Sequence, residues 1–128
     1  ALSSIQALIN ANHITKANDY LSRFSNLLRT SLQPDYQGMV PLSVEIELLQ
    51  QYIELEQLRL PFRFQLQTDP SIDTHAIEIP GMLLQPIAEN AIKHGLPGAD
   101  KPELIGEIKQ QNADLVIQLK NNGYSVKD

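Results

Sequence analysis

The stretch QPIAENAIKHG, Gln85–Gly95, decides how the rest of the chain is read. Apolar Leu83, Leu84, Ile87, Ala88, Ala91 and Ile92 recur at three- and four-residue steps, which predicts an amphipathic helix with these residues toward a core. Pro86 suits only the first turn, where backbone N–H groups have no intrahelical acceptor, so the helix is predicted to begin near Met82. Gly95 supplies a C-terminal stop. Glu89, Asn90, Lys93 and His94 share the turns that end the helix, and Asn90 and His94, four apart, are neighbours on one side. A neutral amide oxygen beside a carboxylate, with Lys and His one turn on, can hold a divalent cation and face a phosphate. These residues fit half of a magnesium-nucleotide site. They also fit a core helix with a solvated polar end, and the helix alone does not separate the two.

Upstream of that helix, Phe62, Phe64 and Leu66 alternate with Arg63, Gln65 and Gln67, the period of a half-buried strand, and Ala76–Pro80 is a short extended piece. Leu42, Ile46, Leu49 and Ile53, widened by Leu48, Tyr52 and Leu55, predict a helix capped by Ser43 and ended near Arg59 by Pro61, with Glu45 and Glu47 favourable in its first turn. Glu56 and Arg59 read as a surface ion pair. Downstream, Leu104–Gln110 and Asp114–Asn121 predict an antiparallel hairpin joined by QNAD, with Leu115, Ile117 and Leu119 on one face. Strands with helices on one face make an α+β sandwich.

Farther out, QPDYQGMVP, Gln33–Pro41, holds two prolines and a glycine between helical patterns and marks a division. The predicted parts are a helical hairpin over residues 1–33, a linker over 34–41 and a second domain over 42–128. In the hairpin, Leu2, Ile5, Leu8 and Ile9 share one face. Ala17, Tyr20, Leu21, Phe24, Leu27, Leu28 and Leu32 share another from Lys16 to Leu32, with Asn12 or Thr15 as N-cap and the ANHIT segment as the turn. A second copy of the chain could cover these stripes, and so could the rest of the same chain.

Composition bounds the function. The chain has 128 residues and a formal net charge of −5, and its basic residues are scattered, so it offers no patch for a nucleic acid. It has no cysteine, which rules out disulfides, thiolate metal sites and cysteine nucleophiles. Ala1 in place of Met, and a helical pattern already under way at Leu2, read as a piece of a longer chain truncated at both ends.

Taken together, these segments resemble the LytS-like (autolysin-sensor) branch of bacterial sensor histidine kinases. The matching runs are ALSSIQALI at Ala1–Ile9, YLSRFSNLLR at Tyr20–Arg29, VPLSVEIELLQQYIELEQLR at Val40–Arg59 and the nucleotide box at Ile79–Gly95, in the family's order. The resemblance implies a dimerisation-type hairpin followed by part of a Bergerat (GHKL-type) ATP-binding sandwich. ATP and Mg2+ are the implied cofactors, with Asn90 as the magnesium ligand, Lys93 on phosphate, His94 lining the pocket and Glu89 orienting this edge. It further implies a homodimer through the N-terminal helices, a response regulator as partner, and the cytoplasmic portion of a membrane-anchored protein that transfers phosphate from ATP to a histidine. The phosphoacceptor histidine belongs upstream of Ala1 in this pattern; His13 and His75 do not occupy its position and read as surface residues. The isolated chain is therefore expected to be inactive. Where the family's second box reads Asp-x-Gly-x-Gly, this chain has Asn121, Asn122, Gly123, Tyr124 and Ser125, so Asn121 would accept from adenine as a neutral group, Gly123 matches the first glycine, and Ser125 in place of the second would restrict the backbone that leads onward. Those departures support a second reading, a catalytically degenerate scaffold that keeps the fold and dimer without significant nucleotide binding.

Overall fold

The alternation of helical and period-two patterns is realised as a mixed α+β architecture. The computed structural model describes residues 5–7, 9, 14–95 and 100–122. Helix α1 spans Ile14–Ser31, followed by a 3-10 turn at Pro34–Tyr36 and strand β1 at Met39–Pro41. Helix α2 (Leu42–Gln57), strands β2 (Arg63–Thr68) and β3 (Glu78–Pro80), helix α3 (Leu84–Gly95) and strands β4 (Glu103–Gln111) and β5 (Asp114–Asn121) complete it.

The larger sheet has the order β2-β4-β5, with β2 parallel and β5 antiparallel to β4. The parallel pairing requires a crossover, which α3 provides. The register places Phe64 beside Leu104, Leu66 beside Gly106, Gly106 beside Leu119, and Leu104 beside Asn121. Side chains alternate across a strand, so these residues, with Ile108 and Ile117, line one face, and that face meets the helices. The other face carries Arg63 near Glu103 and Glu107 between Lys109 and Lys120, the one-sided pattern of a sheet with a single covered surface. Gly106 is the thin point of the covered face: a Cβ there would lie 2.8 Å from Leu66 Cδ1 and 3.1 Å from Leu119 Cδ2. The β4–β5 turn uses Asn112 at φ 56°, a left-handed position that Asn tolerates.

A second, two-stranded sheet joins β1 to β3 antiparallel, pairing Val40 with Ile79. Both apolar members of that pair are buried. This pairing is absent from the sequence reading, in which residues 34–41 are a linker. Gly81 follows it: its N–H donates to the Gly38 carbonyl at 2.8 Å, and a Cβ on it would stand 2.3 Å from the Tyr36 carbonyl oxygen. Only glycine fits there.

Helix α1 divides into two faces. Ala17, Tyr20 and Leu27 are buried with Phe24 half-buried beside them, while Ile14, Leu21 and Leu28, seven residues apart, are 61%, 49% and 43% exposed. Of the earlier residues, 5–7 and 9 are helical; Leu2, Asn12, His13 and most of the expected turn lie outside the described residues. Ile14 and Thr15, placed in that turn by sequence, are helical instead.

Three expectations for the second part of the chain are corrected. The helix expected from Ser43 begins at Leu42 with Pro41 as N-cap and no side-chain cap, because Leu42 N–H and Ser43 N–H donate instead to the carbonyls of Ile77 and Thr74. Helix α3 begins at Leu84 rather than near Met82, since Met82 has φ 62° and turns the chain before the helix can start. Its buried stripe is Leu84, Ala88 and Ile92; Leu83 and Ile87, expected in the core, are exposed.

Candidate functional site

Helix α3 sets the site. Leu84, Ala88 and Ile92 follow at four-residue steps and are buried, so the residues between them are turned outward. Glu89, Asn90, Lys93 and His94 are all exposed. The structure thus brings the four box residues to the outer side of one helix, as their spacing requires. Asn121 stands at the end of β5 with its side chain on the helix-facing side of the sheet, by its register with Leu104, and α3 packs on β5. Gly123 and Ser125 lie outside the described residues. Beside this strand end, an open depression of about 560 Å³ is bordered by Phe62, Arg63, Lys101, Glu103 and Asn122. Asn122 holds its rim: its Oδ1 accepts from Glu103 N–H at 2.9 Å and its Nδ2 donates to the Lys101 carbonyl at 2.6 Å. His75 is exposed in the loop before β3, as expected.

Two carboxylates on α2 prove to be central, although the sequence alone placed Glu45 in a favourable first helical turn and Glu56 in a surface ion pair. Glu45 is 2% exposed. Its Oε1 accepts from Leu83 N–H at 2.8 Å and Leu84 N–H at 3.3 Å, and its Oε2 accepts the Tyr36 hydroxyl. It therefore caps the start of α3, a helix 39 residues away in sequence from its own position, where a negative charge also meets the positive end of the helix dipole. Burial, then the hydrogen bond to Glu45 and its charge, push the Tyr36 phenol above its ordinary value and keep it a donor.

Glu56 is 4% exposed. Its Oε1 accepts the Tyr20 hydroxyl at 2.6 Å, and its Oε2 accepts from Arg59 Nη2 at 3.2 Å. The Glu56–Arg59 pair is thus partly buried at the end of α2, not the surface pair expected from spacing, and it is the Tyr20 bond to Glu56 that fastens α1 to α2. Arg59 Nε is buried without a hydrogen-bond partner among the described residues. Tyr52 stands between: burial first, then the charges of Glu56 and Glu89, raise its phenol well above the ordinary value, with Arg59 opposing. Glu89 on α3 therefore lies within electrostatic reach of the α1–α2 junction. One signal for both glutamates was present in the sequence: they fall on the same helical side as Leu42, Leu48, Leu49, Tyr52, Ile53 and Leu55, all of them buried.

The class to which this arrangement of helices and sheet belongs is identified by sequence comparison. Residues 1–64 match the histidine kinase family model, and the chain belongs to that family. It is similar to the sensor protein LytS of Staphylococcus saprophyticus, with 30% identity over 127 residues that cover 98% of this chain and 21% of that protein. The sensor protein LytS of Oceanobacillus iheyensis is 35% identical over 116 residues, covering 88% of this chain and 20% of the relative. The sensor histidine kinase/phosphatase LytS of Staphylococcus aureus is 29% identical over 128 residues, 98% of this chain and 22% of the relative. The chain thus spans about a fifth of the length of these relatives, and its resemblance to the LytS-like branch runs through nearly all of it. Among the described residues no helix is long and apolar enough to cross a membrane.

Proposed function

We propose that this chain is the junction of a sensor histidine kinase: the dimerisation-type helices over residues 1–33, the linker over 34–41 and the front of a Bergerat (GHKL-type) ATP-binding domain over 42–128. The observation that carries the reading is the placement of Asn90, Lys93 and His94 together on the open side of α3, with Asn121 at the end of the strand on which that helix packs. ATP is the phosphoryl donor that goes with the family.

The donor set fits a magnesium nucleotide. Mg2+ is commonly held by one or two protein oxygens together with substrate phosphates, and among the described residues no group of three or more acidic or histidine side chains is gathered to hold a metal alone. Asn90 would offer one amide oxygen to the ion, Lys93 its ammonium to phosphate, His94 a wall of the pocket, and Asn121 and Gly123 the adenine end. Bound Mg2+ would offset charge on the phosphates during transfer. Glu89 would bias this edge through its charge. In the full-length protein the phosphate would pass to a histidine and on to a response regulator, and the protein would act as the cytoplasmic portion of a membrane-anchored sensor.

The exposed seven-residue repeat Ile14, Leu21 and Leu28 supports a homodimer through α1, because apolar residues at that interval form the seam of paired helices. Calorimetry on the full-length protein tests the nucleotide reading. We expect heat with ATP that depends on Mg2+, and loss of the Mg2+-dependent part in Asn90→Ala. No heat with ATP and no difference in the variant would remove the reading. The degenerate-scaffold reading is favoured by two departures from the family pattern, the neutral Asn121 in place of aspartate and Ser125 in place of the second glycine. A neutral acceptor is weaker by about 1 kcal/mol, so Asn121→Asp should tighten ATP binding severalfold. If affinity is already high and does not change, the scaffold reading fails.

A further inference from the structure

Tyr36 and Glu45 connect the linker to the nucleotide helix. Three elements meet at the buried Glu45 carboxylate: α2, which carries it; the linker, through the Tyr36 hydroxyl; and the start of α3, through Leu83 and Leu84 N–H. Tyr36 and Glu45 are both buried, so water cannot replace a lost bond at little cost. The same linker is stitched a second time to the residues just before α3: Val40 pairs with Ile79, Gly81 N–H donates to the Gly38 carbonyl, and Gly81 has no room for a side chain against Tyr36. The linker therefore cannot shift relative to α2 without moving the start of the helix that bears Asn90.

We infer that Glu45 is the positioning residue of the Asn90-bearing helix and that Tyr36 makes its seat depend on the conformation of the linker. This rests on the reading of α3 as a magnesium-nucleotide helix. Glu45 touches no substrate. It fixes where the first turn of α3 begins, and displacement of a rigid helix by a fraction of an ångström misplaces a ligand two turns along it.

The test uses the full-length protein and compares Tyr36→Phe, Glu45→Gln and Ile53→Val, the last a buried residue of the same helix outside the polar cluster. Two quantities are measured: the Kd for ATP with and without Mg2+ by calorimetry, and hydrogen exchange of the Leu83 and Leu84 amides in the nucleotide-free protein. Tyr36→Phe removes one donor and should weaken Mg2+-dependent ATP binding about three- to tenfold and speed exchange at both amides by a similar factor. Glu45→Gln keeps an acceptor but removes the charge, and should give a smaller change in the same direction. Ile53→Val should lower the melting temperature and leave the Mg2+-dependent affinity and both amides as they are. The inference is overturned if Tyr36→Phe leaves affinity and exchange unchanged, or if Ile53→Val moves them equally. If wild type binds no ATP at all, the nucleotide reading fails and with it the claim that Glu45 positions a ligand; unchanged amides in a protein that does bind ATP defeat the positioning claim alone.

Discussion

Glu45 and Glu56 stand three turns apart on one helix and are equally buried, yet opposite chemistry satisfies them. At the first, every donor is neutral: a phenol and two backbone N–H groups. At the second, a phenol is joined by a guanidinium that is 31% exposed. The first carboxylate is held by directional bonds at a helix terminus and fixes a position. The second is held by a charge with access to water and fastens one helix to another. A buried carboxylate can thus be structural in two senses, and its partners, not its burial, say which.

The comparison breaks most visibly on substitution by leucine. Glu45→Leu strands two backbone donors and a hydroxyl, and should cost at least about 3 kcal/mol at roughly 1–3 kcal/mol per orphaned buried group. Glu56→Leu leaves Arg59 able to turn toward water, and should cost less, about 2–3 kcal/mol. Denaturant unfolding of the pair reads the difference; equal costs would mean the partners do not matter.

Alkaline titration sharpens it with a smaller effect. A phenol whose folded pKa is raised contributes stability that is complete below its unfolded value of 10.0 and is lost as pH climbs above it. Stability should therefore fall above pH 10, and Tyr36→Phe, which removes one of the two raised phenols, should flatten that decline in melting curves collected across the range.

Smallest of all is the contrast with the open face of the sheet. Lys120 and Lys109 hold the Glu107 carboxyl below the ordinary carboxylate value. By the same linkage its contribution is present above 4.5 and lost as pH falls below it. Because Glu107 faces solvent, added salt should erase the effect of Glu107→Gln at neutral pH, whereas the Glu45→Leu loss should survive salt.

Periodicity carried most of the fold. The alternation of Phe64 and Leu66, the spacing of Leu84, Ala88 and Ile92, and the hairpin around Asn112 were legible because each follows from local geometry. The crossover order β2-β4-β5 and the β1–β3 pairing were not, because pairing between distant segments leaves no local period; Met39–Pro41 is three residues long and reads as a proline-bounded linker. Of the candidate site, the exposure of Asn90, Lys93 and His94 was implied by the helical stripe opposite them. Glu45 was missed for a physical reason: an acid in the first turn of a helix is normally explained by the dipole of that helix. Here it serves the dipole of another.

The division of α1 into two faces has a mechanical consequence. Tyr20 looks inward to Glu56 while Leu21 and Leu28 look away from this chain, and all are fixed to one rigid rod. Any twist of that rod about its long axis that re-aims the leucines must draw the phenol off its carboxylate, so torque applied at one end would be felt as a broken bond at the end of α2.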